Sequence, residues 1–327
     1  MTSTDEFNQI ILIPPQIAKP TRMLTTHSPA LSRMTRLSLV VFLYSCAAGG
    51  SATCQIISAE SELTLISNSF QFTEGPTCDA DGNVLFTNQP EDEILHYDFE
   101  TNQVTTWLSP AGRSNGLFYV NKNRLIACAD NKNELWEINP NSKSTKVIAK
   151  GYRDHAFGGP NDCWVDRDGS IYFTDPLYRR KYWTQTFQDD HPRGVYRVAP
   201  DGEITQVASD LIQPNGIIGD PKKRILYIAD INAGKTYRYR IKDDGSLTGK
   251  TLFCESGSDG MTIDRMGNVY LTGKGVSVYN PAGKRIAQIP VPRGWTANIT
   301  FAGPNRQHLF ITASDSVFQI KTLMQGL

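Results

Sequence analysis

The sequence predicts an all-β protein, a six-bladed β-propeller with four-stranded blades whose ring is closed by an N-terminal strand joining the last blade. Three observations predict it. A unit made of a polar residue, a short strand, a turn and a second strand recurs along the chain, led in turn by Glu74, Asn115, Asn161, Asn215, Asp259 and Asn298. The leaders lie 41, 46, 54, 44 and 39 residues apart, close to the period of about 40–50 residues of propeller blades. Each hairpin is then followed by further β-forming runs, enough for four strands per unit.

Taken in order, the chain opens with a stretch that does not read as fold. Residues up to about Ser32 are polar and carry Pro14, Pro15, Pro20 and Pro29 without periodicity. Arg36, an apolar run from Leu37 to Tyr44 and the small residues Ser45 to Ala52 then form the basic start, apolar centre and small-residue exit of a secretory signal. The expected division is residues 1–53 as a disordered extension containing this segment, at about 34–52, and residues 54–327 as the propeller. The depth of the signal suggests translation from Met34 or Met23. The expected location is exported, periplasmic or extracellular. Leu43-Tyr44-Ser45-Cys46 also resembles a lipobox, which makes Cys46 a candidate lipid anchor.

The first hairpin runs from Glu74 through Asp81-Gly82 to Val84-Leu85-Phe86-Thr87-Asn88, and the third from Asn161-Asp162 through Asp168-Gly169 to Ile171-Tyr172-Phe173-Thr174-Asp175. Gly at such turns accepts the backbone that hairpins require. Runs such as Ile94-Leu95-His96-Tyr97 and Val104-Thr105-Thr106-Trp107 supply third and fourth strands. Leu63-Thr64-Leu65-Ile66 has no hairpin of its own and is expected beside Val317-Phe318-Gln319-Ile320, where it would remove a free edge. The longest insertion, about Tyr178 to Arg193, carries Tyr182, Trp183 and Phe187; it is either a lid over the channel mouth or a solvated loop with locally packed aromatics.

A formal net charge of zero argues against nucleic acid as the main partner. No apolar run reaches the roughly 18–20 residues of a membrane span. The six cysteines show neither CxxC pairing nor metal-finger spacing.

In a propeller the start of each innermost strand points to a common axis. Here those positions all carry carboxylates or carboxamides, the donors of a hard cation such as Ca²⁺. No His or Cys stands among them, which weighs against zinc. Asn-Gly and Asp-Gly are also ordinary turn formers, so each copy alone says little; the common register is what points to a site. Asp79, Asp130, Asp175 and Asp230 recur at strand ends and read as turn or inter-blade hydrogen-bonding groups.

Phe72-Thr73-Glu74-Gly75-Pro76, Gly159-Pro160-Asn161-Asp162, Ile171 to Pro176, Gln213-Pro214-Asn215-Gly216 and Ser258-Asp259-Gly260-Met261 together resemble the gluconolactonase, regucalcin and lactonase family, and more distantly diisopropyl fluorophosphatase. The resemblance covers about residues 60–325. It implies a six-bladed propeller with a divalent cation, usually Ca²⁺, at the channel mouth. Carried over by motif, Glu74, Asn215 and Asp259 are its ligands, and Asn161 a fourth ligand or a substrate contact. Two departures stand out: Cys163-Trp164 where smaller residues are usual, and Thr87-Asn88 at the end of the first hairpin.

The function so implied is metal-dependent opening of a sugar lactone to the aldonic acid. The cation serves as Lewis acid, Asp259 as general base, and Asn115, Arg113 and His155 as contacts for the sugar. A phosphotriester hydrolase on the same scaffold is the rival enzyme, with Asp259 attacking directly. A non-catalytic propeller that binds a sugar, peptide or protein is the rival from outside enzymology.

Overall fold

The computed structural model describes residues 55–327 and the backbone of the two-residue strand Arg36–Leu37. The expected signal beyond Leu37, and with it Cys46, lies outside the described residues.

Six four-stranded antiparallel blades are present. Their strands are Thr73–Cys78, Val84–Asn88, Glu93–Asp98 and Gln103–Leu108 in blade one. Blade two has Ser114–Asn121, Arg124–Ala129, Glu134–Ile138 and Thr145–Ala149. Blade three has Cys163–Val165, Ile171–Asp175, Gly194–Val198 and Ile204–Ala208. Blade four has Pro214–Asp220, Ile225–Asp230, Lys235–Ile241 and Leu247–Cys254. Blade five has Met261–Ile263, Val269–Gly273, Gly275–Tyr279 and Arg285–Ile289. Blade six has Asn298–Ala302, His308–Ala313 and Ser316–Lys321, and its outer strand is Leu63–Ser67. The closure is as expected: Thr64 pairs with Gln319 and Leu65 with Phe318. Arg36–Leu37 adds a short outer pairing to Thr64 and Leu63. Thr73 of blade one reinforces the seam, its hydroxyl donating to the Ser316 carbonyl at 2.9 Å.

Burial falls from the axis outward. The second strands Val84–Asn88, Ile171–Asp175 and Val269–Gly273 are buried throughout, because a neighbouring blade covers each face. The outer strand Gln103–Leu108 is half exposed to exposed along its length. The core therefore lies between blades. Phe86 and Tyr97 of blade one pack on Phe310 of blade six, with ring centroids 5.3 and 5.5 Å apart. Each such buried ring contributes about 1.5–3 kcal/mol.

The two sequence departures are packing and anchoring features. Trp164 lies against Gly219 of blade four, where a Cβ would come within 2.4 Å of the indole. Cys163 joins Cys128 in the apolar cluster between blades two and three. Asn88 accepts the backbone amides of Gln71 and Phe72, at 3.1 and 3.4 Å, and so fixes the chain entering blade one.

The blade-three insertion has the locally packed aromatics expected of it and is anchored to a neighbouring blade. Trp183 packs on Phe187 locally, with centroids 5.5 Å apart. It is also tied to blade two through Asp130, whose carboxylate accepts from Arg180 Nε at 2.9 Å and from Tyr182 at 2.5 Å. The Trp183 indole donates to the Asp130 carbonyl at 2.7 Å. Gln89 of blade one donates to the same carboxylate at 3.1 Å, so Asp130 links two blades and the insertion.

Candidate active site

The leading residues stand at or just before the starts of the innermost strands, and the glycine after four of them has a specific use. A Cβ on Gly75 would lie 2.0 Å from the Asn115 carbonyl oxygen, and one on Gly260 would lie 1.9 Å from the Asn298 Cγ. Gly116 and Gly216 abut Asn161 and Asp259 in the same way. These dipeptides are thus close contacts between successive blades rather than hairpin turns, and they draw the polar leaders toward one axis. Blades three and six break the pattern, with Asp162 and Ile299 in place of glycine and both buried.

Glu74, Asn115, Asn161, Asn215 and Asn298 are all buried, and Asp259 keeps a partly exposed edge. Asn215 Nδ2 donates to Asp259 Oδ1 at 2.7 Å, and the Trp295 indole donates to Asp259 Oδ2 at 2.5 Å. Asn298 Nδ2 lies 3.2 Å from Glu74 Oε2 and 3.5 Å from Asp162 Oδ2, bridging the acids of blades one and three. Glu74 also accepts the Gly75 amide at 2.9 Å.

Three acids thus share a site in which their direct side-chain donors are neutral amides and an indole. Removal from water disfavours their charged forms. Burial raises the Glu74 carboxyl well above its ordinary range, with Asp259 and Asp162 adding repulsion. It raises Asp162 to about 7 and Asp259 to about 6, the latter moderated by bonds from Trp295 and Asn215 and by the charge of Arg180.

The donor set fits a hard cation. Asp259 can only accept when ionised, so it turns the Asn215 Nδ2 toward itself and leaves Oδ1 facing away. That Oδ1 and the Asn115 Oδ1 are buried without a hydrogen-bond partner. Buried oxygens without a donor, set among acids held above their usual pKa, are groups that a divalent cation, or for Asn115 a substrate hydroxyl, would satisfy. Among the described residues no three His, Cys, Asp or Glu side chains gather closely enough to hold an ion by themselves, so any such site needs the amides.

The other expected residues are distributed unevenly. Asn115 and Asn161 belong to the ring. Arg113 lies at the rim: its guanidinium stacks 4.5 Å from the Tyr182 ring centroid and donates to the Pro90 carbonyl at 2.6 Å. His155 is not brought to the ring. It sits exposed on the hairpin Gly151–Tyr152 with His155–Ala156, which packs beside the outermost strand of blade three. There it faces His191 across a separate hollow of about 370 Å³ lined also by Tyr152, Phe157 and Tyr196. The short stretch from His155 to Asn161 turns back from the blade's outer side, so closeness in sequence misplaces the ring.

Four groups at the site carried no such expectation. Asp162 was legible only as the polar residue that breaks the glycine pattern. Asn298 was legible as a leader without a role. Tyr178 and Trp295 come from irregular segments, the first reaching Asn215 at 2.9 Å and the second Asp259.

The family model described as SMP-30/Gluconolactonase/LRE-like region matches residues 72–315. The chain belongs to this family. Among its relatives, a gluconolactonase of Zymomonas mobilis is 25% identical over 299 residues, covering 83% of this chain and 84% of that protein. The diisopropyl-fluorophosphatase of Loligo vulgaris is 24% identical over 282 residues, covering 77% and 89%. A solved gluconolactonase structure from Xanthomonas campestris superposes with a TM-score of 0.75 at 24% identity, covering 88% of this chain and 99% of that one, and supports the propeller fold.

Proposed function

We propose that this protein is a Ca²⁺-dependent sugar lactonase that opens a lactone such as gluconolactone to the aldonic acid. That it is a lactone-hydrolysing enzyme follows from its family and from its gluconolactonase and lactonohydrolase relatives. The observation that supports the finer reading is the orientation of Asn215, whose amide nitrogen serves Asp259 and whose buried carboxamide oxygen is left without a partner.

In this reading Glu74, Asn161, Asn215 and Asp259 hold the cation. When bound it supplies a Lewis acid for the carbonyl and charge for the developing oxyanion. Asp259 takes the proton of the attacking water. Trp295 and Asn215 each hold one of its oxygens, which fixes the carboxylate plane while leaving further lone pairs for that proton. Asn115 and Arg113 border the position of the sugar hydroxyls. The reading includes export, resting on the apolar run after Arg36; N-terminal sequencing and mass spectrometry of the protein from its native host test both cleavage and lipidation of Cys46.

The experiment is metal analysis of purified protein with a lactone panel assayed with and without chelator. Turnover that chelator abolishes and Ca²⁺ restores supports the reading; chelator-insensitive turnover sinks the metal, and no turnover sinks the substrate. The fluorophosphatase relative keeps one rival in play, with Asp259 as nucleophile on a phosphotriester. A single turnover in isotope-labelled water separates the two, because label in the Asp259 carboxylate means covalent attack.

A further inference from the structure

We propose that the hydroxyl of Tyr178 is a substrate-contacting hydrogen-bond donor of the active site, carried to the channel mouth by the blade-three insertion. This rests on the lactonase reading for its substrate class, and on hydrogen-bond geometry for the donor itself.

The ionised carboxylate of Asp259 can only accept, so the amide atom of Asn215 at 2.7 Å is Nδ2, an atom that can only donate. The same Nδ2 lies 2.9 Å from the Tyr178 oxygen. The phenol oxygen is therefore the acceptor in that contact, and its own proton must be directed elsewhere. Among the described residues no acceptor for it is found. The residue is half-buried, so the proton is directed to the open side of the site, where solvent accepts it until a ligand oxygen takes its place.

The ring is held so that this donor is aimed before a ligand arrives. Arg180 lies over the Tyr178 ring, 5.4 Å from its centroid, and is clamped on Asp130 at 2.9 Å. Asn215 holds the phenol oxygen. A chain of contacts therefore runs from Asp130 through Arg180, Tyr178 and Asn215 to Asp259.

A sugar lactone presents what this donor needs: a carbonyl oxygen, a ring ester oxygen that gains charge as the C–O bond breaks, and ring hydroxyls. A fixed donor at such an oxygen assists more as charge accumulates on it. It also discriminates, because a ligand lacking an oxygen there leaves the proton unpaired.

The test is Tyr178→Phe, which keeps the ring on Arg180 and removes only the hydroxyl. Three quantities are compared with the wild type: Ca²⁺ affinity by calorimetry, affinity of the Ca²⁺-loaded protein for a non-hydrolysable sugar lactam, and kcat/KM on the lactone turned over best. Loss of one donor at a reacting oxygen predicts lactam binding weakened about tenfold or more and kcat/KM lowered about 10–100-fold, with Ca²⁺ affinity changed by less than about threefold. Lactam affinity and kcat/KM both within about threefold of wild type would overturn the proposal. So would a large loss of Ca²⁺ affinity, since Tyr178 would then act through Asn215 and not on substrate. If the wild type binds the lactam, Tyr178→Phe weakens that binding and no lactone is turned over, the lactonase reading fails and the donor assignment stands. A wild type that neither binds the lactam nor turns over a lactone overturns both.

Discussion

Asn215 donates to Asp259 across 2.7 Å, and this one bond decides which way the carboxamide faces. Reversing it tests the site directly. Asn215→Asp places two carboxylates in contact, so one must protonate or gain a cation. Without Ca²⁺ the variant should be less stable by about 1–3 kcal/mol, the cost of losing a buried donor. Asp259→Asn removes the carboxylate that the amide serves, and Glu74→Gln removes the acid opposite. Both should lower lactone turnover at least about a hundredfold, Glu74→Gln chiefly through weaker metal binding. Turnover near wild type in either variant would refute the assignment; steady-state kinetics with calcium titration reads both effects.

The acids make the metal-free protein sensitive to pH. Burial raises Asp162 and Asp175 to about 7, Asp259 to about 6 and Glu74 upward. Groups whose pKa is higher in the folded state add stability that is complete below their unfolded values of about 4 and is lost as pH rises through about 6–7. The exposed Asp98, Asp244 and Asp315 shift downward and act only below that window. In chelator, thermal melting should therefore be higher at about pH 5.5 than at about pH 8. A cation among the acids opposes this loss, so the gain from added Ca²⁺ should grow with pH. A chelated melting temperature that rises across that interval would contradict a cluster of buried acids with raised pKa values.

Contact between blades sets the tolerance of the ring glycines. A Cβ on Gly260 meets Asn298 at 1.9 Å, whereas one on Gly294 meets nothing within 4 Å. Gly260→Ala should cost at least about 1–3 kcal/mol in denaturant unfolding. Gly294→Ala should be neutral or stabilising by up to about 1 kcal/mol. Equal effects would mean the inner strands do not abut.

The buried thiols supply an independent check on packing. Cys78, Cys128, Cys163 and Cys254 are free and buried. Burial pushes the Cys78 and Cys254 thiols up to about 11 and Cys128 upward as well. Thiolate is the reactive form, so brief alkylation of the native protein and peptide mapping should leave all four unmodified, and alkylation in denaturant should label all four. Fast native labelling of Cys128 or Cys163 would mean the joint between blades two and three is open.

The repeat was legible because its physical cause is repeated. Each inner strand must pass its neighbour closely and begin with a polar residue near the axis, so Glu74-Gly75, Asn115-Gly116, Asn215-Gly216 and Asp259-Gly260 look alike. The same logic makes Leu63–Ser67 readable as the missing strand of blade six. Tyr178 and Trp295 were not legible, because they lie in connections where no period dictates which side chain turns inward. His155 shows the converse: it lies six residues before Asn161 in sequence, yet the hairpin carries it to the outer side of blade three. Asp162 had a signal in its departure from glycine, but its meaning needed the contact with Asn298.

Leu63–Ser67 and Ser316–Lys321 are hydrogen-bonded partners although they come from opposite ends of the propeller sequence. A circle of blades has no terminal repeat to fray, unlike a linear stack whose outermost unit can melt alone. Opening it means parting a seam held by chain segments about 250 residues apart in sequence, and that loop entropy is recovered only when the seam is complete. The ring around Asn215 and Asp259 is thus closed by a pairing of high loop-closure cost, which ties the geometry of the candidate site to the integrity of a joint on the outer side of blade six.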